Sequence, residues 1–344
     1  MGVRPAGPKG MSDFLILSDP DLDTLGITTD EIQTALEAAI RAQIRATVHV
    51  APKSALLPGD GRYVMTTLAT GNSPALTVVK SVMVSPDNPA RGLPGTEGVL
   101  LVQDSETGQL RALMQAGWIT RMRTAGLSAL VARRLGDPAA RVVAFIGAGA
   151  QARAHLAALC DLFPLQRAVI LGRGAENIAR LSAAARARGL QAEIADNPHQ
   201  AIADADLVVS SVTLDHQMTP FLDARWLKPG AFASLTDTGL PWQPDGMAAL
   251  DPLYIDDLAQ EAANPRPMID PARVGGDLAA LLGEDLHSTN VNRHDPSRRA
   301  GFLFRGPAIA DFALAALALH RAQSLGAGRD TAWPDATRPG QSPA

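Results

Sequence analysis

The sequence predicts an α/β fold in which a doubly wound parallel sheet follows an α+β unit. Apolar, β-type runs alternate with helical stretches from residue 141 onward, and the first run breaks into a glycine-rich turn before an Ala/Leu-rich helix. The first 120 residues lack that alternation. At 344 residues the chain exceeds the size at which single hydrophobic cores usually stop growing. We therefore expect two domains.

The first unit combines one helical pattern with strand-like pieces. A helix start is predicted at 28–36, and strands are predicted near 62–68 and 77–84. A stretch rich in glycine and proline follows at 85–98. A mixture of this kind, without repeated strand–helix alternation, is typical of an α+β unit.

A further helix leads from this unit into the parallel sheet. Residues 124–135 have a helical pattern, and the Gly-Asp-Pro sequence at 136–138 ends the helix and places a hinge there. Helices are also predicted at 153–162 and 176–189. The strands that alternate with helices are predicted at 142–146, 168–171, 192–194, 207–210, 231–235 and 253–255.

The chain beyond Asn290 departs from this pattern. A polar segment precedes an apolar helix at 308–325, which does not continue the sheet, so we expect the helix to pack on the first unit. Residues 1–10 and the tail from Gly326 are rich in glycine, proline and polar residues. We expect both to be poorly ordered.

Composition excludes several classes of function. The net charge is −4, and no basic cluster interleaved with aromatic residues indicates a nucleic-acid partner. No apolar run approaches the roughly 20 residues that cross a bilayer, and no secretory signal is recognised, so a cytoplasmic location is expected. The single cysteine, Cys160, fits a reducing compartment, and the histidines form no metal-binding pair. We expect a small-molecule ligand.

The glycine-rich turn carries the first functional motif. Residues 142–152 read Val-Val-Ala-Phe-Ile-Gly-Ala-Gly-Ala-Gln-Ala, a Gly-x-Gly-x-x-Ala pattern between a strand and a helix. Gly147 permits the tight turn, and Gly149 lets the backbone approach a pyrophosphate at the helix N-terminus. The pattern therefore predicts a dinucleotide site that includes Ala148, Ala150 and Gln151, with a purely structural turn as the alternative.

The residues after the second predicted strand bear on which dinucleotide binds. NAD sites usually place an acidic residue there to hold the ribose hydroxyls, whereas NADP sites offer an arginine. Here Arg173 follows the strand, so NADP(H) is favoured. Glu176 lies three residues further on and keeps NAD(H) possible, and a solvated loop arginine is the structural alternative.

Asp237 is the candidate for proton transfer. It follows the apolar run at 231–235, so it projects from the carboxyl end of a predicted strand, where open α/β sheets bind ligands. Partial burial would raise the pKa of this carboxyl toward the working range of a general acid or base. The alternative is an aspartate that starts the turn at 236–239.

Several short motifs recur in a fixed order before the glycine-rich turn. They are Val79-Lys80, Pro86-Asp87-Asn88-Pro89, Gly92-Leu93-Pro94, Gly98-Val99-Leu100-Leu101, Thr107-Gly108 and Ile119-Thr120-Arg121-Met122-Arg123-Thr124-Ala125. This order and spacing resemble the ornithine cyclodeaminase and mu-crystallin family, over about residues 65–311.

The resemblance implies a Rossmann domain inserted into a substrate-binding and dimerisation domain. The implied bounds are 128–304 for the Rossmann domain and 1–127 plus 305–344 for the other. It also implies a homodimer that acts on a small amino or imino acid. The apolar helix at 308–325 agrees with a dimer built on the non-Rossmann domain.

The resemblance also implies roles for individual residues. Lys80 and Arg123 match the cations that bind the substrate carboxylate, and a guanidinium can hold a carboxylate bidentately. Lys53 stands where the family has an arginine, which removes one such contact. The other implied contacts are Met65 for the substrate, Thr124 and Thr213 for the cofactor, and Asp237 with Lys80 in catalysis.

Three positions depart from the cyclodeaminases of this family. Tyr63 replaces a glutamate, Pro241 replaces a lysine, and Phe304 replaces a small hydroxyl residue. These differences argue against ornithine cyclisation and favour an NAD(P)-dependent oxidoreductase that transfers hydride at Cα of an amino or imino acid.

Two other functions stay open at the level of sequence. One is a deaminating cyclase that uses bound NAD, as in ornithine cyclodeaminase. The other is a mu-crystallin-like ligand-binding protein with little catalysis. The presence of Lys80, Arg123 and Asp237 favours catalysis over the second of these.

Overall fold

A computed structural model describes residues 13–264, 266–283 and 292–333 of the chain. Its strands, numbered along the chain, are β1 (Asp13–Leu17), β2 (Val48–Leu56), β3 (Tyr63–Asn72), β4 (Ala75–Val84), β5 (Thr96–Asp104), β6 (Leu110–Gln115), β7 (Val142–Ile146), β8 (Arg167–Leu171), β9 (Gln191–Ile194), β10 (Leu207–Ser210), β11 (Phe232–Leu235), β12 (Leu253–Ile255), β13 (Gly276–Asp277), β14 (Ala300–Leu303) and β15 (Arg329–Ala332).

The helices connect and cover these strands. They are α1 (Asp19–Asp23), α2 (Thr29–Ile44), α3 (Ala116–Leu135), α4 (Ala150–Leu162), α5 (Ala175–Ala187), α6 (Pro198–Ile202), α7 (Leu258–Ala262), α8 (Leu278–Gly283) and α9 (Ala308–Leu325). No helix in the described ranges is long and apolar enough to cross a membrane.

The first sheet is largely antiparallel. In the described part of the chain its spatial order is β15-β1-β6-β5-β4-β3-β2, and only β1 and β6 pair in parallel. Helices α2, α3 and α9 pack together, and α9 contacts β2, β3 and β4. The apolar helix α9 therefore packs on one face of the first sheet, which we call the inner face. The sequence predicted that this helix would pack on the first unit.

The opposite face of this sheet carries an apolar row. The cross-strand register aligns Leu68 on β3 with Val79 on β4, Leu101 on β5 and Leu113 on β6. Leu68 is 41% exposed, while the other three are half-buried. A row of apolar side chains on an uncovered sheet face is a feature of surfaces that meet another molecule.

The second sheet is parallel throughout. Within the described residues its order is β13-β12-β14-β11-β10-β7-β8-β9. The chain moves outward in one direction from β7 to β8 and β9, then crosses back to β10 and β11. The carboxyl ends of β7 and β10 therefore form a topological switch point, the place where sheets of this kind bind ligands. This is the predicted Rossmann arrangement, and the predicted α/β fold class is confirmed.

The sequence located most of the parallel strands, and its errors have physical reasons. The apolar run of β14 has only four residues and follows a polar segment, so the pattern gave no sign that it enters the sheet between β11 and β12. Helix α3 begins at Ala116, eight residues before the predicted start, because its first two turns are also buried on one side. Strands β1, β2, β5 and β6 were not predicted individually.

The prediction of a poorly ordered tail from Gly326 is wrong for its first part. Residues 329–332 form β15 and pair antiparallel with β1, which supplies hydrogen-bond partners that the local sequence cannot reveal. Residues 1–10 and 334–344 lie outside the described residues. The predicted domain boundary between residues 127 and 128 lies inside α3 and stays a prediction.

Candidate active site

The glycine-rich turn joins β7 to α4 at the switch point. Gly147 has φ +96°, and a Cβ there would lie 2.6 Å from the carbonyl oxygen of Ser211. Only glycine fits both constraints. Gly149 is the N-cap of α4, and a Cβ on it would meet nothing within 4 Å. The space in front of the α4 N-terminus is therefore open, as an anion site requires.

Several buried polar atoms near this turn have no hydrogen-bond partner. In the described part of the chain they include Ser211 Oγ, Gln151 Oε1 and Thr120 Oγ1. Gln151 Nε2 donates to the Thr120 carbonyl oxygen at 3.3 Å, which ties α4 to α3. Because buried polar groups are normally paired, these atoms fit a polar ligand, and the turn fits a dinucleotide. Ala148 is buried, and Ala150 begins α4.

The remaining predicted cofactor contacts surround this turn. Arg173 is exposed two residues after β8, and Glu176 in the first turn of α5 pairs with Arg180 at 2.6 Å. Thr213 is exposed in the loop after β10, and Thr124 is buried on α3. These positions lie near the switch point, but their contacts with a cofactor stay a prediction.

Three charged side chains meet inside the first unit. Lys80 Nζ lies 2.6 Å from Asp311 Oδ1, and Arg123 Nε lies 3.3 Å from the same oxygen. Thr67 Oγ1 donates to Asp311 Oδ2 at 2.8 Å. Lys80 is 2% exposed and Asp311 1% exposed. We call Lys80, Arg123 and Asp311 the charged cluster. It joins β4, α3 and α9.

Burial and mutual charge alter protonation in the charged cluster. Burial, together with the positive charge of Arg123, lowers the pKa of Lys80 to about 8, although Asp311 opposes this. Burial by itself would raise the pKa of Asp311, but the charges of Lys80 and Arg123 outweigh it and hold that pKa below its ordinary value. The cluster therefore carries two cations and one anion at neutral pH.

Arg123 keeps hydrogen-bonding capacity in this setting. Its buried Nη1 has no hydrogen-bond partner, and its buried Nε is ion-paired with Asp311 without forming a hydrogen bond. Gly306, with φ +100°, lies against the guanidinium, since a Cβ there would be 2.4 Å from Arg123 Nη1. A buried guanidinium with free donors and a net positive surrounding can bind a carboxylate.

Lys53 lies close enough to Lys80 and Arg123 to interact with their charges. Lys53 Nζ donates to the Arg305 carbonyl oxygen at 2.8 Å and lies 5.8 Å from the centre of the Tyr63 ring. Burial and the charges of Arg123 and Lys80 lower the pKa of Lys53 to about 7. Met65 on β3 is partly buried against the main hydrophobic core.

Asp237 lies at the carboxyl end of β11, as its sequence position predicts. Its Oδ1 accepts from Ser210 Oγ at 3.0 Å and its Oδ2 from the Val212 amide at 3.2 Å. Trp242 Nε1 donates to Ser210 Oγ and so supports this arrangement. Burial raises the pKa of Asp237 to about 6, against the effect of these hydrogen bonds. The carboxyl can therefore exchange a proton near neutral pH.

A second buried carboxyl group was missed by the sequence reasoning. Asp256 follows β12, and its Oδ2 accepts from the amides of Arg305 and Gly306 at 2.9 and 2.8 Å. Burial raises the pKa of Asp256 to about 6. Arg305 in turn forms a bidentate pair with buried Glu261. A polar residue directly after an apolar strand was the available signal, as at Asp237.

A cleft of about 590 Å³ is lined by Lys53, whose charge interacts with those of Arg123 and Lys80, but not by Lys80, Arg123 or Asp237 themselves. Lys53 and Tyr63 line one wall, and Thr238 and Gly239, which follow Asp237, line another. No described contact joins the Asp237 carboxylate directly to the charged cluster. Asp311 lies in the first turn of the apolar helix α9, and the sequence predicted no role for it. No group of His, Cys, Asp and Glu side chains in the described ranges is arranged to hold a metal ion.

Comparison with known proteins decides the family. The model of the ornithine cyclodeaminase/mu-crystallin family matches residues 19–245. The chain belongs to this family. The resemblance drawn from the ordered motifs is thereby confirmed.

Relatives within the family have different names. The protein named "Uncharacterized cyclodeaminase y4tK" of Sinorhizobium fredii is 31% identical over 265 residues, which cover 72% of this chain and 78% of the relative. Delta(1)-pyrroline-2-carboxylate reductase 2 of Burkholderia ambifaria is 36% identical over 171 residues, which cover 50% of this chain and 53% of the relative. The chain thus aligns with about half the length of that reductase.

A solved structure shows the same fold over nearly the whole chain. It is the Delta(1)-pyrroline-2-carboxylate reductase of Thermococcus litoralis in complex with NADH and L-proline. The TM-score is 0.81 at 21% identity, with 92% of this chain and 99% of that chain covered. At this level of identity the likeness concerns the fold.

Proposed function

We propose that this protein is an NAD(P)-dependent oxidoreductase that reduces an α-imino acid, or oxidises the corresponding amino acid. The observation that carries the proposal is the buried Arg123 guanidinium, whose Nε and Nη1 lack hydrogen-bond partners beside the Lys80 ammonium. Related reductases that act on cyclic imino acids support the direction of the chemistry.

The charged cluster would bind the substrate carboxylate. Arg123 offers free donors, Lys80 adds positive charge, and Asp311 holds both cations in place. A carboxylate fixed at this point would leave the adjacent Cα facing the open cleft toward the β11 end. Bound NAD(P)H supplies the hydride that Cα accepts.

Asp237 would provide the accompanying proton. Reduction of a C=N bond adds hydride to carbon and a proton to nitrogen, so a general acid is needed near the imine nitrogen. With a pKa raised to about 6 by burial, the Asp237 carboxyl can hold a proton that an ordinary aspartate would have released. Ser210 and the Val212 amide would then stabilise the carboxylate that remains.

The preferred cofactor is proposed to be NADP(H), with NAD(H) as the alternative. Arg173 is exposed beyond β8, where a guanidinium can pair with a 2′-phosphate. Glu176 is engaged with Arg180, which reduces its availability to ribose hydroxyls. Titration of nicotinamide fluorescence should give tighter binding of NADPH than of NADH, and Arg173→Ala should remove most of the difference. Equal affinities in the unmodified protein would contradict the preference.

A homodimer is proposed on the uncovered face of the first sheet. The apolar row of Leu68, Val79, Leu101 and Leu113 would be covered by the same row of a second copy around a twofold axis. Light scattering should then give about twice the chain mass of 36.0 kDa. Leu68→Glu should yield the monomer, and a concentration-independent monomer without this substitution would exclude the dimer.

The proposed reaction can be tested through Asp237. Oxidation of NADPH and NADH should be followed with cyclic imines and with mixtures of 2-oxo acids and amines. Asp237→Asn should lower kcat by roughly 10²–10⁴-fold with little change in cofactor affinity. In the reducing direction kcat/KM should fall as the pH rises through about 6, because the acid form is then lost. Near-normal turnover of Asp237→Asn would disprove the assigned role.

Ammonia release is the control for the second candidate function. The name of the Sinorhizobium relative favours a cyclodeaminase as the alternative. Incubation with ornithine, lysine and diaminobutyrate should release no ammonia if the protein is a reductase. Ammonia release with NAD(P) present, together with the absence of imine reduction, would replace the reductase proposal by the cyclodeaminase one.

A further inference from the structure

The cleft between the two sheets has an excess of positive charge. Its charged lining residues are Asp270 and four cations, Lys53, Arg266, Arg273 and Arg305. The guanidinium of Arg305 is paired with Glu261. Within the described residues neither Arg266 nor Arg273 forms an ion pair, and the Asp270 carboxylate accepts from the Ala272 amide. An anion is therefore favoured in the cleft and a cation is disfavoured.

Arg266 and Arg273, which form no ion pair within the described residues, have exposed side chains that line the cleft. Arg305 Nη2 donates to the backbone carbonyl oxygen of Arg266 at 2.9 Å, and the Arg305 carbonyl oxygen accepts from Lys53 Nζ. The backbone at Arg266 is therefore linked through Arg305 to Lys53. Nη1 and Nη2 of Arg273 both donate to the Pro244 carbonyl oxygen at 3.4 Å, in the chain segment that follows Asp237. Both side chains line the same cleft, so an anion in it is attracted by positive charge from either residue.

The rest of the lining is mostly apolar. It includes Leu57, Met218, Leu240, Trp242, Met247 and Met268. A volume of about 590 Å³ lies in the range of pockets that enclose ligands of drug size. An apolar cleft with cations along its walls suits an apolar chain that ends in an acidic group.

We propose that the substrate is an α-imino acid whose side chain ends in a second carboxylate, and that Arg266 and Arg273 bind this carboxylate. The inference rests on the proposed function, in which the charged cluster binds the first carboxylate. Methylene groups between the two carboxylates pack on the apolar lining. The same arginines repel the ammonium group of a diamino acid, so substrates of the cyclodeaminase type are excluded by charge.

The first test compares substrates of equal length. NADPH oxidation is measured with methylamine and 2-oxoglutarate or 2-oxoadipate, and with methylamine and the monocarboxylic 2-oxopentanoate or 2-oxohexanoate. The imine carbon accepts hydride from NADPH, and the nitrogen takes one proton. The dicarboxylic imines should have kcat/KM values about 10-fold higher or more, as expected for hydrogen bonds between charged groups. Equal or higher values for the monocarboxylic imines overturn the inference but leave imine reduction intact. Oxidation with none of these four imines overturns the inference, and the absence of oxidation with cyclic imines as well overturns the proposed function itself.

The second test assigns the effect to the two arginines. Arg266→Gln and Arg273→Gln should each lower kcat/KM for the dicarboxylic imines about 10-fold and leave the monocarboxylic values within about twofold. Arg45→Gln, at the exposed end of α2 and outside the cleft, is the matched control and should change neither value. Equal losses on both classes of substrate, in either cleft variant, contradict the proposed contact.

A binding measurement supplies a readout without turnover. In calorimetry with NADP⁺ present, the protein should bind glutarate with higher affinity than butyrate. The affinity for glutarate should fall when salt is added and when Arg273 is changed to Gln. Charge reversal by Arg273→Glu should weaken glutarate binding further. Butyrate affinity equal to that of glutarate would overturn the inference independently of any activity assay.

Discussion

Helix α3 contributes to two buried polar clusters that differ in one respect. The charged cluster uses Arg123, and a second group of Ser128, His155 and Ser234, which we call the neutral cluster, begins five residues later. In the neutral cluster Ser234 Oγ donates to Ser128 Oγ at 2.7 Å, and His155 Nδ1 lies 2.8 Å from the Gln151 carbonyl oxygen. Since Nδ1 donates there, His155 Nε2 accepts from Ser128 at 2.8 Å.

The two clusters differ in whether their hydrogen bonds are complete. Every side chain of the neutral cluster has a hydrogen-bond partner within the protein. In contrast, buried Arg123 Nη1 has no hydrogen-bond partner, and Arg123 Nε contacts Asp311 as an ion pair without forming a hydrogen bond. Buried unpaired donors are costly, so they persist mainly where a ligand completes them. This difference supports the proposed role of the charged cluster in binding. The neutral cluster holds α3, α4 and β11 together, and so fixes the position of the glycine-rich turn.

The largest expected effect is on the charged cluster. Asp311→Asn removes the one carboxylate among the described residues that contacts both Lys80 and Arg123, and leaves two buried cations uncompensated. Loss of one partner from a buried ion pair typically costs about 3–5 kcal/mol of stability. Urea denaturation should show a loss of this size in the free energy of unfolding.

A surface ion pair gives the control for this prediction. Asp60 pairs with Arg62 on the exposed loop before β3, so Asp60→Asn should leave the denaturation midpoint unchanged. If Asp311→Asn were as stable as Asp60→Asn, the charged cluster would contribute nothing to folding.

The neutral cluster should make the free energy of unfolding depend on pH. Burial lowers the pKa of His155 from 6.5 to about 4. Between these pH values the imidazole is protonated in the unfolded chain but stays neutral in the folded protein, so protonation favours unfolding. This contribution to stability is present above pH 6.5 and is lost as the pH falls toward 4. A shift of about 2.5 pH units corresponds to about 3 kcal/mol.

The difference between the protein and His155→Gln isolates this effect. Denaturation curves from pH 4 to 7 should converge as the pH falls, because the variant has no imidazole to protonate. Asp237 and Asp256, whose raised pKa values favour the folded state at low pH, act equally in both proteins. A constant difference across this pH range would contradict a neutral, buried His155.

Local sequence patterns supported one of these clusters better than the other. The ordered motifs that resemble the family identified Lys80 and Arg123. The apolar run before Asp237 predicted its position at the carboxyl edge of the sheet, where ligands bind. Asp311 lies 231 residues from Lys80, and nothing in its own helix marks it as their partner. The neutral cluster is built from two serines and a histidine on three elements, and no spacing rule connects them. Long-range pairings of this kind depend on the packing of whole elements.

A smaller effect is expected when Arg123 is changed to lysine. The positive charge beside Asp311 is kept, so stability should change little, but the planar guanidinium and its free donors are lost. KM for a carboxylate substrate should rise about 10- to 100-fold with a smaller change in kcat. Steady-state kinetics check this, and an unchanged KM would mean that the substrate carboxylate binds elsewhere.

The smallest expected effect comes from Ser234, at the end of the neutral cluster. Ser234→Ala removes one donor to Ser128, but Ser128 can still donate to His155 Nε2, so every remaining donor keeps a partner. The loss in stability should be about 1 kcal/mol, the usual net value of one hydrogen bond, and KM for cofactor and substrate should not change.

Ser128→Ala should cost more, up to about 3 kcal/mol, because it leaves the buried His155 Nε2 without a donor. Urea denaturation of the two variants measures both values. If Ser234→Ala instead altered KM for the cofactor as strongly as it altered stability, the neutral cluster would take part in binding, and completeness of hydrogen bonding would not distinguish the two clusters.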